Sequence, residues 1–95
     1  MGGSTPAVHR YAAQSGTLYV PGKPPLSLVG ANQIRLFERL VDAHLAGSPD
    51  VKASTLTEGS ESRSPQHCFR AEMWKSILEK YITKGVKNGY WRLVV

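Results

Sequence analysis

The sequence predicts a small α+β domain: an N-terminal β-hairpin, three helices of which the second is short, and a C-terminal β-hairpin. Three observations carry that expectation. Asn88-Gly89 is the dipeptide best suited to a two-residue type I′ turn, because both central positions need positive φ. Behind it Tyr90, Arg92 and Val94 alternate with Trp91, Leu93 and Val95, the period of a strand. Two longer stretches, 31–46 and 65–84, instead repeat apolar residues at helical spacing.

The elements follow in order. Residues 1–16 are rich in Gly, Ser, Thr and Ala without an apolar period and are expected to form a flexible tail, with the folded domain spanning 17–95. Leu18-Tyr19-Val20 and Leu26-Ser27-Leu28-Val29 flank Pro21-Gly22-Lys23-Pro24-Pro25, whose punctuation forces a reversal and so a hairpin. The first helix puts Ile34, Leu36, Phe37, Leu40, Val41 and Leu45 on one broad stripe, with Arg35, Glu38, Arg39 and Asp42 opposite. His44 falls on the apolar side as a core histidine. Gly47 suits the left-handed position after the helix, and Pro49 blocks continuation.

A short helix is expected over 53–58 with Leu56 inward, marginal because of its Ser and Thr content. A Ser-rich polar loop follows. Ser64-Pro65 reads as an N-cap followed by proline at the first helical position, opening a helix over 65–84 that Gly85 stops. Strands at 86–87 and 90–94 then close the hairpin.

At 95 residues the chain is expected to be one domain with a modest core. With 41% hydrophobic and 20% charged residues, bulk disorder is not expected. The N-terminus lacks the basic and apolar regions of a secretory signal, and no run is long enough to span a bilayer. The lone Cys68 excludes an internal disulfide and fits a reducing cytoplasm.

The net charge of +5 is unevenly spread. Residues 1–50 hold four bases against three acids, and residues 51–95 hold eight against four. From Lys80 onward come Lys80, Lys84, Lys87 and Arg92 with no acid. That is the electrostatic footprint of a polyanion partner. Lysines closing a helix also favour its dipole whatever the function, and lysines on an edge hairpin block sheet aggregation.

On the long helix, Phe69, Met73, Trp74, Ile77, Leu78 and Tyr81 share one arc. Lys75, Ser76, Lys80 and Thr83 on the other can donate to phosphates or base edges. Glu72 and Glu79 on the same face oppose a phosphate backbone. Arg70 falls inside the apolar arc and is expected to snorkel or pair with an acid. The hairpin offers Lys87, Asn88 at the turn and Arg92, with Lys84 before it, and Arg63 in the preceding loop adds a phosphate contact. The expected DNA-binding set is therefore Arg63, Lys75, Ser76, Lys80, Lys84, Lys87, Asn88 and Arg92.

Catalysis has little support. His67-Cys68 is the only adjacent pair of reactive types, and no third residue is placed to orient it. His9, His44 and His67 lack metal-ligand spacing, and Gly85 and Gly89 do not end in the Gly-Lys-Ser/Thr of a phosphate loop. The chain is read as a non-enzyme without cofactor, metal or small-molecule substrate.

Leu26-Ser27-Leu28 entering the first helix, Leu36 and Leu40 within it, the 51–56 region and the stretch from Lys84 to Leu93 together resemble a winged-helix domain, closest in pattern to the response-regulator output class (the OmpR/PhoB type). In that class the wing closes on a Gly-Tyr-Arg-Leu-like strand, and here it reads Gly89-Tyr90-Trp91-Arg92-Leu93. The Tyr-Trp strand is also similar to forkhead-like wings. The resemblance covers roughly 17–95 and departs from the class in its single N-terminal hairpin and in a long helix without an arginine-rich face. It implies a transcriptional or DNA-transaction regulator in the cytoplasm, associated with the nucleoid. The long helix would approach the major groove of double-stranded DNA and the wing its backbone. Winged helices also serve as protein-interaction modules, which makes a protein partner within a larger complex the alternative.

Overall fold

Strand β1 (Ala7–Ala12), β2 (Ser15–Tyr19) and β3 (Leu26–Val29) form an antiparallel sheet in the order β1-β2-β3 in the computed structural model, which describes residues 5–58 and 65–94. The N-terminal sheet thus has three strands, not two, and the expected tail is ordered from Ala7 through Gly16. The missing signal is explained by where β1 lies. It is an edge strand whose only half-buried residue is Val8, so it carries little apolar alternation. Gly16 has a packing role: a Cβ there would sit 3.0 Å from the His9 carbonyl oxygen and 3.3 Å from Ile34 Cγ1. Its absence lets β2 come down onto the first helix.

Helix α1 (Ala31–Leu45) is the expected one and buries Ile34, Leu36, Phe37, Leu40 and Val41. Its end is a complete Schellman motif. Gly47, at φ 83°, donates to the His44 carbonyl at 3.2 Å, and Ser48 donates to that of Ala43 at 3.0 Å. Leu45 is 56% exposed and His44 half-buried, so the apolar stripe stops one turn early and His44 is no core residue. Strand β4 (Val51–Lys52) leads straight into α2 (Ala53–Leu56), with Leu56 buried as expected.

The expected helix over 65–84 is broken into pieces. Pro65–Cys68 is a 3-10 turn, Arg70 is extended, α3 runs only over Ala71–Ile77, and Ile82–Lys84 is strand β5. Two forces end the helix early. Phe69 turns inward against Phe37, ring centroids 5.8 Å apart, which a continuous helix over 65–84 would not require. At the other end Ile82-Thr83, β-branched, pairs with Leu93 and Arg92 of strand β6 (Tyr90–Leu93), while the Tyr81 hydroxyl donates to the Pro24 carbonyl at 2.6 Å. Strand order in this second sheet is β4-β6-β5, all antiparallel.

The turn between α3 and β5 is made by Glu79 at φ 67°, the one positive-φ residue other than glycine among the described residues. Its N–H donates to the Ile82 carbonyl at 2.7 Å, which holds a conformation costing an L-residue about 1–2 kcal/mol. Glu79→Gly relieves that cost, less some backbone entropy, and is expected to stabilise by roughly 0.5–1 kcal/mol. Thermal unfolding should show a Tm about 4 °C higher, and a lower Tm would contradict it.

The hairpin also differs from expectation. Its loop is the five residues 85–89, because Val86 and Lys87 belong to the loop and β5 ends at Lys84. Of Asn88 and Gly89 only Gly89 has positive φ, at 83°, and Tyr90 N–H donates to the Lys87 carbonyl. That is the pattern of a type II turn, not type I′. The core joins both sheets to α1 through Leu18, Leu28, Ile34, Leu36, Phe37, Leu40, Leu56, Ile77, Ile82 and Leu93, each at most 3% exposed. The fold is α+β.

Candidate nucleic-acid interface

Helix α3 and the β5–β6 hairpin are locked together by aromatic rings. Trp74 meets Trp91 edge-to-face with centroids 5.4 Å apart, and Phe69 lies 5.9 Å from Trp74 on its other side. Trp91 and Leu93 face inward as predicted. The tryptophan on the hairpin is therefore half-buried scaffold that fixes the hairpin against α3.

Strand register assigns the charges to faces, since directly opposed residues lie on the same side of a sheet. Lys84 is opposite Trp91 and so emerges on the α3 side of the sheet. Lys75 follows Trp74 on α3 and is exposed. Lys87 and Asn88 are exposed at the hairpin tip. Lys80 is exposed in the turn before β5 and not on a helix, as Lys84 is on a strand. Thr83, expected on the helix face, is half-buried opposite Arg92. Arg63 and Ser64 lie outside the described residues.

Two expected contacts are already engaged. Arg92 donates through Nε to Asp50 Oδ1 at 2.8 Å, so its charge is paired. The Ser76 hydroxyl donates to the Glu72 carbonyl at 3.1 Å, one turn back along α3. Among the described residues the ion pairs are Arg92–Asp50 and Arg10–Glu38, which leaves Lys75, Lys80, Lys84 and Lys87 without a carboxylate in salt-bridge range. The hydrogen bond from Arg92, then its charge, and the nearby Val86 N–H hold the Asp50 carboxyl below its usual pKa, while Asp50 raises that of Arg92.

Three further cations, Arg70, Lys52 and Lys23, lie outside the expected set. Arg70 was expected in the apolar arc, but the break before α3 leaves it exposed at the helix N-terminus. Lys52, exposed on β4 opposite Tyr90, lies on the face away from Trp91. Lys23 reaches from the β2–β3 loop to the Lys80 carbonyl and sits 5.6 Å from the Tyr81 ring centroid; desolvation there lowers its pKa. Only the turn signal at Pro21–Pro25 pointed near that contact, and nothing in it specified the partner.

His67 is exposed and Cys68 half-buried, and among the described residues no three His, Cys, Asp or Glu side chains come together as a metal site. A depression of about 540 Å³ lies between Thr5–Val8 and the Arg35, Glu38 and Asp42 side of α1, and Lys75, Lys80, Lys84 and Lys87 do not line it. No helix among the described residues is long and apolar enough to cross a membrane. No protein-family model, curated protein or solved structure matches this chain.

Proposed function

We propose that the chain is a winged-helix domain that binds double-stranded DNA, chiefly through the phosphate backbone. The carrying observation is that Lys75, Lys80, Lys84 and Lys87 are exposed on α3, the turn after it and the adjoining hairpin, and have no carboxylate in salt-bridge range among the described residues. The order of elements supports the fold reading: a sheet, α1, short α2, α3 and a hairpin braced on α3.

Little supports base-specific reading. Seven residues of helix reach about 10 Å, and the outward face offers Lys75 beside the carboxylate of Glu72. Ser76 spends its proton within the helix. Affinity should then be electrostatic and tolerant of sequence. Titrating duplex DNA at several salt concentrations tests this. Four neutralised phosphates predict a slope of log K against log salt near −3.6, from about −0.9 each. Absence of binding at low salt would overturn the reading.

A protein-interaction role is favoured by a different surface. Tyr11 is 60% and Val29 71% exposed on the N-terminal sheet, with Tyr19 bonded to Tyr11 through their hydroxyls at 3.1 Å. The half-burial of Trp91 removes the aromatic wing from that argument.

A further inference from the structure

Resting on the DNA-backbone reading, we propose that Asp50 is the positioning residue of the basic hairpin: it fixes the loop that presents Lys84 and Lys87, and it withholds Arg92 from the phosphates. Asp50 immediately precedes β4, whose pairing with β6 places it beside the base of the hairpin. Its carboxylate accepts from Arg92 Nε at 2.8 Å and lies near enough to the Val86 N–H for that group to lower its pKa. It also fills the space that a side chain at position 85 would take, since a Cβ on Gly85 would lie 2.7 Å from Oδ1 and 3.0 Å from Tyr90 Cβ. Gly85 is thus required by the carboxylate next to it, for its φ is not in the left-handed region.

The far end of the loop is pinned separately. Ala53 N–H, at the start of α2, donates to the Gly89 carbonyl at 2.8 Å. At the near end the Gly85 N–H donates to the Tyr90 carbonyl at 2.8 Å with the Asp50 carboxylate packed beside it, Gly89 is held by Ala53, and Lys87 and Asn88 project between the two anchors. A loop fixed at both ends presents its lysines with little ordering left to be done on binding, and such preorganisation strengthens association without adding a contact.

This role predicts an effect opposite in sign to plain electrostatics. Neutralising an acid beside a basic patch adds positive charge and releases Arg92, which on charge alone tightens binding to DNA. If Asp50 positions the hairpin, Asp50→Asn weakens it instead. Gly85→Ala supplies an independent arm, because it displaces the carboxylate while leaving every charge in place. It also tests position should Asp50→Asn lower stability.

The full chain and both variants are titrated with a duplex of about 20 base pairs at about 0.1 M salt, and amide exchange is followed at Val86. Both variants are expected to bind about tenfold more weakly, with faster Val86 exchange. Tighter or unchanged binding by the two variants, with the wild type binding normally, overturns the positioning role alone. A wild-type chain that binds no duplex even at low salt overturns the DNA reading and this proposal with it.

Discussion

Phe37→Ala is expected to lower the stability of this domain by about 3–5 kcal/mol. Phe37 is fully buried on α1 and meets Phe69 edge-on at 5.8 Å. It therefore joins α1 to the segment that precedes α3, the point where the predicted long helix breaks. Truncation removes apolar burial and the ring contact together and leaves a cavity that two small sheets and a helix cannot close easily. At about 0.05–0.15 kcal/mol per residue a chain of 95 residues has a total stability of roughly 5–14 kcal/mol, so the loss is a large fraction of the whole. Urea unfolding followed by tryptophan fluorescence should show a midpoint moved sharply down, because Trp74 stands next to Phe69. Leu45→Ala on the same helix is the control. Leu45 shares the apolar stripe in sequence but is 56% exposed, so its loss is expected within about 0.5 kcal/mol. Equal destabilisation by the two would mean that the stripe, not the observed burial, describes the core.

That contrast marks how much was legible in the sequence. Helix α1 was readable almost to the residue, because amphipathic spacing and the Gly47 stop are local signals that agree. The second helix and the inward faces of Trp91 and Leu93 were also readable from local pattern. The segment from Pro65 to Lys84 was not. Phe69, Met73, Trp74, Ile77 and Tyr81 have helical spacing, yet Phe69 and Tyr81 are buried from outside the helix, through contacts with Phe37 and Pro24 that lie far away in the chain. Periodicity records which residues are buried and not the backbone that buries them, so helix and strand give the same apolar list here. The first strand was missed for the converse reason. An edge strand with one half-buried side chain needs no apolar pattern, and its pairing with β2 is supplied by the backbone.

The candidate site was legible as a charge run and illegible as geometry. Lys75, Lys84 and Lys87 were named correctly as exposed cations, but two of the expected contacts fell to partners that sequence spacing does not reveal. Asp50 is forty-two residues from Arg92 in the chain. The Ser76 hydroxyl donates to a carbonyl one turn away, a competition familiar for serine in helices. Arg70 gained exposure only because the helix broke before it.

Removing Lys84 and Lys87 together is expected to weaken duplex binding about sixtyfold at roughly 0.1 M salt. The figure follows from counterion release. Each neutralised phosphate contributes about 0.9 to the slope of log K against log salt, and at a tenth molar that amounts to about eightfold in affinity. Two independent contacts multiply to some sixtyfold and flatten the slope by about 1.8; at about 0.5 M salt the same pair is worth only threefold or fourfold. Lys84 and Lys87 are the right pair because both belong to the hairpin that Trp91 braces against Trp74, so their loss leaves the core untouched. The Tm of the double alanine variant should accordingly stay near that of the parent chain. Lys52→Ala separates a located interface from general attraction to a positive protein. Lys52 is exposed on the face of the same sheet away from Trp91, and it changes net charge by the same amount per residue. An interface formed by α3 and the hairpin predicts less than a twofold effect at Lys52. An eightfold loss there would show that binding follows total charge, and the assignment to this face would fall.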